Sequence, residues 1–436
     1  IESVISSTSI GIWGSFSESR MDRLYTVNYE KLGVQIDIPK QILQNEIKYL
    51  NRIIRTPVDI YSCRSYDSSS YSNYYVVGDI LLFDFLIAPP LAYHIQGKHW
   101  TLRDNSLLTN VSRKSAYPSS VSSRCYIKVP DNLIMSDDIH IALWDHDKND
   151  WTTDKLSDYQ YSESTRVVQF FLLVTGTLAL VKKRHSDLPY RQWSLVPVIM
   201  DDINIGKCAK FTLQTQKYKI IIEIIGTNVK LIAPDIPSIS TILNKEMTPG
   251  QLVRKLLRHG INISPVYQDA SYMENQNVKM SSLEDDVLLS MARCASSIEF
   301  KSSEWNGSIE NYQIGLLARE TSVYVGNVEN YDYDCILAEV DKYSESYKNS
   351  PDAGDIPGSA KCKYTLVVGN DYGNRKLYSH IPRQDEETHI DILQALSNRI
   401  TQEAKDRIEN GNERFHQTVY KLLKLVKPYS FLNQIN

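Results

Sequence analysis

Between residues 24 and 200 the chain repeatedly alternates apolar and polar residues with a period of two, and turn-forming residues interrupt each run. No other feature limits the fold as strongly. The runs are "GVQIDIP" (33–39), "YYVVGDILLFDFL" (74–86), "RCYIKVPDN" (124–132), "RVVQFFLLV" (166–174) and "GTLALV" (176–181). Pro57, Pro89, Pro90, Pro118 and Pro130 punctuate them. Short strands at this spacing predict an antiparallel β-sandwich. The longest apolar stretch, "VVQFFLLVTGTLALV" (167–181), contains Gly176 and two threonines. It falls short of the roughly 20 residues a membrane helix needs and reads as two buried strand segments. The stretch "SYDSSSYSNYY" (65–75) reads as an exposed loop with no assigned chemistry.

Around Gly206 the pattern becomes mixed. Strands "AKFTLQTQ" (209–216) and "KIIIEIIGTNVKLIA" (219–233) precede a helix that Thr248 caps and Pro249 begins, with Leu252, Val253, Leu256 and Leu257 on one face and Gly260 at its end. A second helix is predicted over Ser282–Ala295, burying Leu283, Val287, Leu288 and Met291, followed by strands at 296–306 and 312–320. Residues 341–361 read as a loop and 363–381 as a hairpin. From Asp391 to Val426 the period is helical: Ile392, Leu393, Leu396, Ile400, Ile408, Phe415, Val419, Leu422, Leu423 and Val426 form an apolar stripe broken at Gly411-Asn412. Two helices, or one kinked helix, are expected there. The fold class is therefore mainly β with an α+β second half: a β-sandwich-like domain over 1–205, an α+β domain over 206–387 and a C-terminal helical segment over 388–436.

The segment "IALWDHDKNDWTTDKL" (141–156) places Asp145, Asp147 and Asn149 at the first, third and fifth positions of a helix-loop-helix calcium loop. The sixth position of such a loop requires glycine and the twelfth a bidentate glutamate, whereas Asp150 and Leu156 stand there. The entry is also strand-like, with Ile139, Ile141 and Leu143 alternating with His140 and Ala142. A hairpin is the better reading, its Asp and Asn side chains bonding local amides while Trp144 and Trp151 pack together.

Signatures of common enzymes are missing: the chain has no GxSxG, GxxxxGK[ST], GxGxxG or HExxH. His94 and His99 lack the cysteine or carboxylate company of a zinc site. His185, Ser186 and Asp187 are triad residue types, but triads assemble from separated segments. With Lys182, Lys183 and Arg184 before them, they read as a solvated charged turn. Glu284, Asp285 and Asp286 fall in the first turn of their helix, where negative charge complements the dipole. No catalytic, cofactor-binding or metal-binding residue is assigned, and partner-binding residues are unknown from the sequence.

A formal charge of −4 provides no global basic field for nucleic acid or acidic lipid. Cys63, Cys125, Cys208, Cys294, Cys335 and Cys362 have no CxxC spacing, and a chain of 436 residues needs no staples, so reduced thiols in a cytosolic compartment are expected. The chain opens at Ile1 rather than methionine and reads as part of a longer protein.

Seven stretches in order carry a family resemblance: "IGIWGSF" (10–16), "GVQIDIPKQI" (33–42), "VVGDILLFDFLIAPP" (76–90), "KVPDNLI" (128–134), "ALWDHDKNDWTTDKLSDYQY" (142–161), "TGTLALVKKRHSDLPYRQWSL" (175–195) and "LLRHGINISP" (256–265). Together they resemble the non-WD-repeat axonemal dynein intermediate chain family, also called the cancer susceptibility candidate 1 family. The resemblance implies a non-catalytic structural subunit of inner-arm dynein in the axoneme of a cilium or flagellum. Such a subunit helps anchor the motor base to the doublet microtubule. The partners it implies are the inner-arm dynein heavy and intermediate chains and α/β tubulin, with no cofactor, nucleic acid or membrane. The alternative is a cytosolic β-sandwich binding module for another protein or a calcium-dependent ligand, through Asp145, Asp147 and Asn149. Lys421, Lys424 and Lys427 read as cations favouring a helix end, with acidic tubulin tails as the competing reading.

Overall fold

The structure is a computed structural model. It describes residues 1–14, 25–38, 49–61, 72–87, 93–95, 99–101, 122–198, 206–274, 276–321, 333–340, 362–367 and 388–432. Its packing divides the chain into two compact units: residues 1–183 with 258–260, and residues 184–257 with 261–436.

The first unit is built on two antiparallel sheets. In spatial order the larger runs Glu2–Ile5, Thr8–Gly14, Tyr49–Thr56, Tyr74–Ile87, Gly176–Lys183, Ile139–Asp145 and Asp150–Thr152. The smaller runs Leu156–Ser162, Val167–Leu172, Ser123–Lys128, Val34–Ile38 and Tyr25–Tyr29. In the smaller sheet Ser123, Cys125 and Ile127, and likewise Val168, Phe170 and Leu172, are buried, while Arg124 and Lys128 are exposed. That period-2 pattern gives the sheet one core face. The two sheets are tied across the core. The Tyr29 hydroxyl donates to Asn51 Oδ1 at 2.7 Å, and the Tyr159 hydroxyl to the Ile139 carbonyl at 2.9 Å. Any side chain at position 11 would collide with the Tyr29 ring, which explains Gly11. This is the sandwich arrangement expected from the sequence.

The central strands of the larger sheet, Tyr74–Ile87, Gly176–Lys183 and Ile139–Asp145, are buried on both faces. Ala179 lies opposite both Ile80 and Ala142. Since side chains alternate, these residues share a face with Val181 and Trp144, opposite the face carrying Leu178, Leu143 and Ile141. A separate apolar cluster of Val76, Ile80, Ala142, Trp144, Trp151, Ala179 and Val181 covers it. This is why "VVGDILL" and "GTLALV" read as nearly continuous apolar runs rather than clean alternation.

The second unit holds one ten-stranded antiparallel sheet: Glu246–Met247, Asn228–Ala233, Lys219–Ile225, Cys208–Gln214, Gln192–Pro197, Ile298–Ser302, Gln313–Glu320, Asp334–Val340, Cys362–Val367 and Thr388–His389. Five α-helices accompany it among the described residues: α1 (Pro249–Arg258), α2 (Ser281–Cys294), α3 (Ile392–Ala395), α4 (Gln402–Glu409) and α5 (Glu413–Val426). At the start of α1, Thr248 and Gln251 exchange side-chain-to-backbone bonds at 3.1 and 3.4 Å, a capping box. Gly260 has a φ of +93°, which suits glycine after a helix end. Helix α2 packs on α5 and on the strand Asp334–Val340, while α5 packs on Lys219–Ile225. Of the ten stripe residues all but Leu393 are buried, so the C-terminal stripe belongs to this unit's own core.

Several expectations change. The C-terminal segment forms three helical pieces rather than two, because Asp391, Thr401 and Asn412 each accept a backbone N–H from the residue three positions on and restart the helix. Strand Gln192–Pro197, placed by the sequence with the first domain, pairs with Cys208–Gln214 and Ile298–Ser302 and lies in the second unit. Tyr74 and Tyr75, which the sequence reading places in both the loop at 65–75 and the strand run at 74–86, begin the strand. Residues 65–71 and 341–361 lie outside the described residues, as does the return strand of the 363–381 hairpin.

Candidate functional site

The acidic knot is a hairpin turn. Ile139–Asp145 pairs with Asp150–Thr152, with Trp144 directly opposite Trp151 and Asp145 opposite Asp150. The Trp144 and Trp151 rings meet edge to face, their centroids 5.2 Å apart. Tyr61 lies against both at 5.2 and 6.1 Å, and the Thr177 hydroxyl donates to its phenol oxygen at 3.0 Å. Both tryptophans are buried. Asp145 Oδ1 accepts the amides of Asp147 (2.9 Å) and Lys148 (3.3 Å), and these bonds hold its carboxyl below the usual range. Asn149 has a φ of 51°, the left-handed conformation that asparagine tolerates in turns. Asp150 Oδ1 accepts from the Ser72 hydroxyl and from the Trp151 amide.

These carboxylates are thus turned to local backbone and Ser72, and do not converge on a common point as ligands of a hard cation would. Among the described residues no group of three or more His, Cys, Asp or Glu side chains is placed to hold a metal ion. Residues 93–95 and 99–101 pair as strands, but the side chains of His94 and His99 lie outside what is described. Cys125, Cys208, Cys294, Cys335 and Cys362 are buried thiols. Burial pushes Cys294 and Cys362 up to about 12, which removes the thiolate that reactivity requires.

The turn after "GTLALV" is not the solvated basic segment expected from its sequence. Within the first unit Lys182 is wholly buried. Its ammonium donates to the Gly260 carbonyl at 2.8 Å and lies 3.8 Å from Asp138. Within the second, Asp187 is buried and accepts the Asn262 amide at 2.8 Å, while His185 stacks on Tyr272. Asp187 is thereby committed to the Asn262 amide and His185 to the Tyr272 ring. The long lysine stem lets a cation at a strand end reach a carbonyl in the interior, which sequence position alone does not reveal.

The acidic run at the start of α2 is likewise more than dipole complementarity. Glu284 is fully buried and accepts the amides of Tyr429 and Ser430, each at 3.1 Å, and the Ser430 hydroxyl. Burial raises its carboxyl while these bonds lower it. Asp285 pairs with Lys424 at 2.8 Å, and Asp286 accepts the Tyr364 hydroxyl at 2.7 Å. Lys427 donates to the Pro265 carbonyl at 2.8 Å, and burial pushes its ammonium down. Of the three C-terminal lysines, Lys424 and Lys427 therefore have partners within the unit, while Lys421 is exposed. Exposed apolar side chains gather elsewhere, on the first strands: Ile1, Ile5 and Ile12 share a face of the N-terminal hairpin, as its register shows.

No protein-family model matches the chain. It is similar to the human protein named Dynein axonemal intermediate chain 7, 22% identical over 367 residues, which is 81% of this chain and 47% of the relative. The zebrafish (Danio rerio) protein of the same name is 24% identical over 266 residues, 56% of this chain and 35% of the relative. The Ciona intestinalis homolog is 23% identical over 189 residues, 43% of this chain and 25% of the relative. The resemblance seen in the sequence thus agrees with curated relatives, distant but consistent in name. The chain spans less than half the length of those relatives.

Proposed function

We propose that this chain is a structural part of an axonemal dynein intermediate chain and works in the axoneme of a cilium or flagellum. The observation that carries the reading is the similarity to proteins of that name, which reaches 81% of the chain. The build supports it: two sheet-based units in which the candidate chemical groups are spent on folding. Asp145 closes a turn, Lys182 and Glu284 tie down backbone, and the five cysteines among the described residues lie in the core. A docking subunit needs surfaces held in fixed register rather than a site with convergent reactive groups.

The finer reading follows the family resemblance: a non-catalytic subunit of the inner arm, helping to anchor the motor base to the doublet microtubule through dynein heavy and intermediate chains and tubulin. Co-purification of the tagged chain with axonemal dynein and doublets tests the coarse reading. Crosslinking mass spectrometry of intact axonemes tests the finer one. Crosslinks to inner-arm heavy chain and tubulin are expected, and a chain recovered free of both would refute the assignment. The lysines give a narrower check. Because Lys424 and Lys427 are engaged within the unit, Lys421→Gln alone should carry any contribution of this helix end to microtubule co-sedimentation at low salt.

A further inference from the structure

We propose that residues 427–432 form a latch that opens as one piece, hinged at Lys427, while the remainder of the second unit stays folded. Three observations point to it. First, the segment is held without a regular ladder. Apart from the Lys427 amide donating to the Leu423 carbonyl (2.9 Å), the Tyr190 amide donating to the Phe431 carbonyl (2.7 Å) and one isolated bridge from Tyr190 to Leu432, it is gripped by side chains. Glu284 takes the two amides and the hydroxyl of Tyr429 and Ser430, and Gln276 Nε2 donates to the carbonyls of Ser430 (2.9 Å) and Leu432 (3.1 Å). Losing two side chains' grip would free most of its polar contacts together.

Second, unfavourable features concentrate at its joint. Helix α5 ends at Lys427 with a φ of 49°, a conformation costly for a residue other than glycine or asparagine. The same lysine has its ammonium withdrawn from water, and the carboxylate that clamps Tyr429 and Ser430 is buried outright. Third, the face beneath is shaped to the segment. The Tyr429 ring meets Trp193 edge to face at 5.2 Å and its hydroxyl reaches Met291 Sδ at 3.0 Å, so opening would bare an aromatic and thioether surface beside a carboxylate that receives main-chain amides. The groups around Glu284 are Tyr267, Tyr429 and Ser430 in contact, with Lys279, Lys427 and Tyr190 close enough to interact electrostatically.

Native-state hydrogen exchange on the full chain, read by mass spectrometry, tests this. The peptide covering Tyr429 and Ser430 should exchange about a hundredfold faster than the core strand Lys219–Ile225, as a sub-global opening does. Glu284→Gln should accelerate that peptide about another tenfold and the strand by no more than the same factor, so that the gap between them persists. If the substitution prevents folding, Gln276→Ala, which keeps the carboxylate, should also accelerate the peptide with the gap kept, and chymotrypsin should cut native chain after Tyr429 or Phe431. Exchange of the C-terminal peptide at the strand's rate, in the parent or in either variant, would overturn the latch and make the segment ordinary core.

Discussion

The hairpin turn at Asp145–Asp150 and the start of α2 at Glu284–Asp286 are both short acidic runs beside apolar residues, yet they solve the problem of their charge in opposite ways. Asp145 is satisfied by amides two and three residues ahead and stays in solvent contact. Glu284 is satisfied by amides 145 and 146 residues away and is buried. A local solution leaves the charge cheap and the turn independent of its surroundings, whereas a distant one makes the carboxylate a tie between remote segments whose worth depends on everything packed around it. The contrast makes predictions that differ in size as well as place.

The largest effect should come from what the hairpin presents rather than from its acids. Trp144→Ala removes a buried ring contacted by Trp151 and Tyr61 and should cost about 3–5 kcal/mol, measured by denaturant unfolding. An unchanged midpoint would show that the outer cluster contributes nothing, and that the turn's locality extends to its tryptophans.

Next, Glu284→Ala should cost about 3 kcal/mol, because it leaves two amides and a hydroxyl buried without an acceptor. If the loss equals that of an exposed acid, the distant tie is not a tie and the contrast fails.

The neighbourhood of Glu284 also sets a pH dependence above neutrality, where the hairpin has none to match it. Lys279 is buried, its ammonium donating to the Ile309 and Glu310 carbonyls at 3.4 and 3.2 Å, and desolvation pushes it down to about 7. Between pH 7 and the ordinary lysine value of 10.5, the unfolded chain then holds a proton that the folded chain does not. Stability should rise with pH across that window and be lost as pH falls through it, at up to about 1.4 kcal/mol per pH unit. In Lys279→Met this slope should vanish from the urea midpoint measured against pH; an identical slope would place the proton elsewhere.

The same division into local and distant explains what the sequence disclosed. The tryptophan hairpin, the capping box at Thr248 and the apolar face of α2 were readable because their determinants lie within a few residues of one another. The sandwich followed from period-2 runs in the first unit, and the C-terminal stripe from period 3.6. Lys182 and Asp187 were read as a solvated turn and Glu284 as a complement to the helix dipole, since the carbonyl that accepts from Lys182 and the amides that donate to the two acids come from segments far along the chain. The third C-terminal helix was missed for a smaller reason: Thr401 is a good cap, but a weak signal within an already helical pattern. Buried charge was the illegible class, and in both suggestive motifs, the calcium spacing and the His-Ser-Asp order, it is an acid that holds backbone: Asp145 the Asp147 and Lys148 amides, Asp187 the Asn262 amide.

The smallest effect should be at the acids of the hairpin. Asp145→Ala deletes an acceptor for the Asp147 and Lys148 amides, but both donors sit at an exposed turn where water replaces it. The expected loss is on the order of a degree or two in melting temperature. Because those amides hold the carboxyl of Asp145 below its ordinary value, its contribution is present at neutral pH and disappears as pH falls through that depressed value, so the parent and Asp145→Ala should converge in acid. Calcium provides the sharper test. A carboxylate already bonded to two amides, facing Lys155 at 3.7 Å, would have to surrender those bonds to bind a cation, and the glycine and glutamate that compensate in a calcium loop are Asp150 and Leu156 here. Melting of the parent should therefore be the same in millimolar calcium and in chelator. A calcium-dependent rise that Asp145→Ala abolishes would mean that the turn's local satisfaction can be exchanged for a ligand, and that the hairpin, not the start of α2, is where this chain keeps a chemical function.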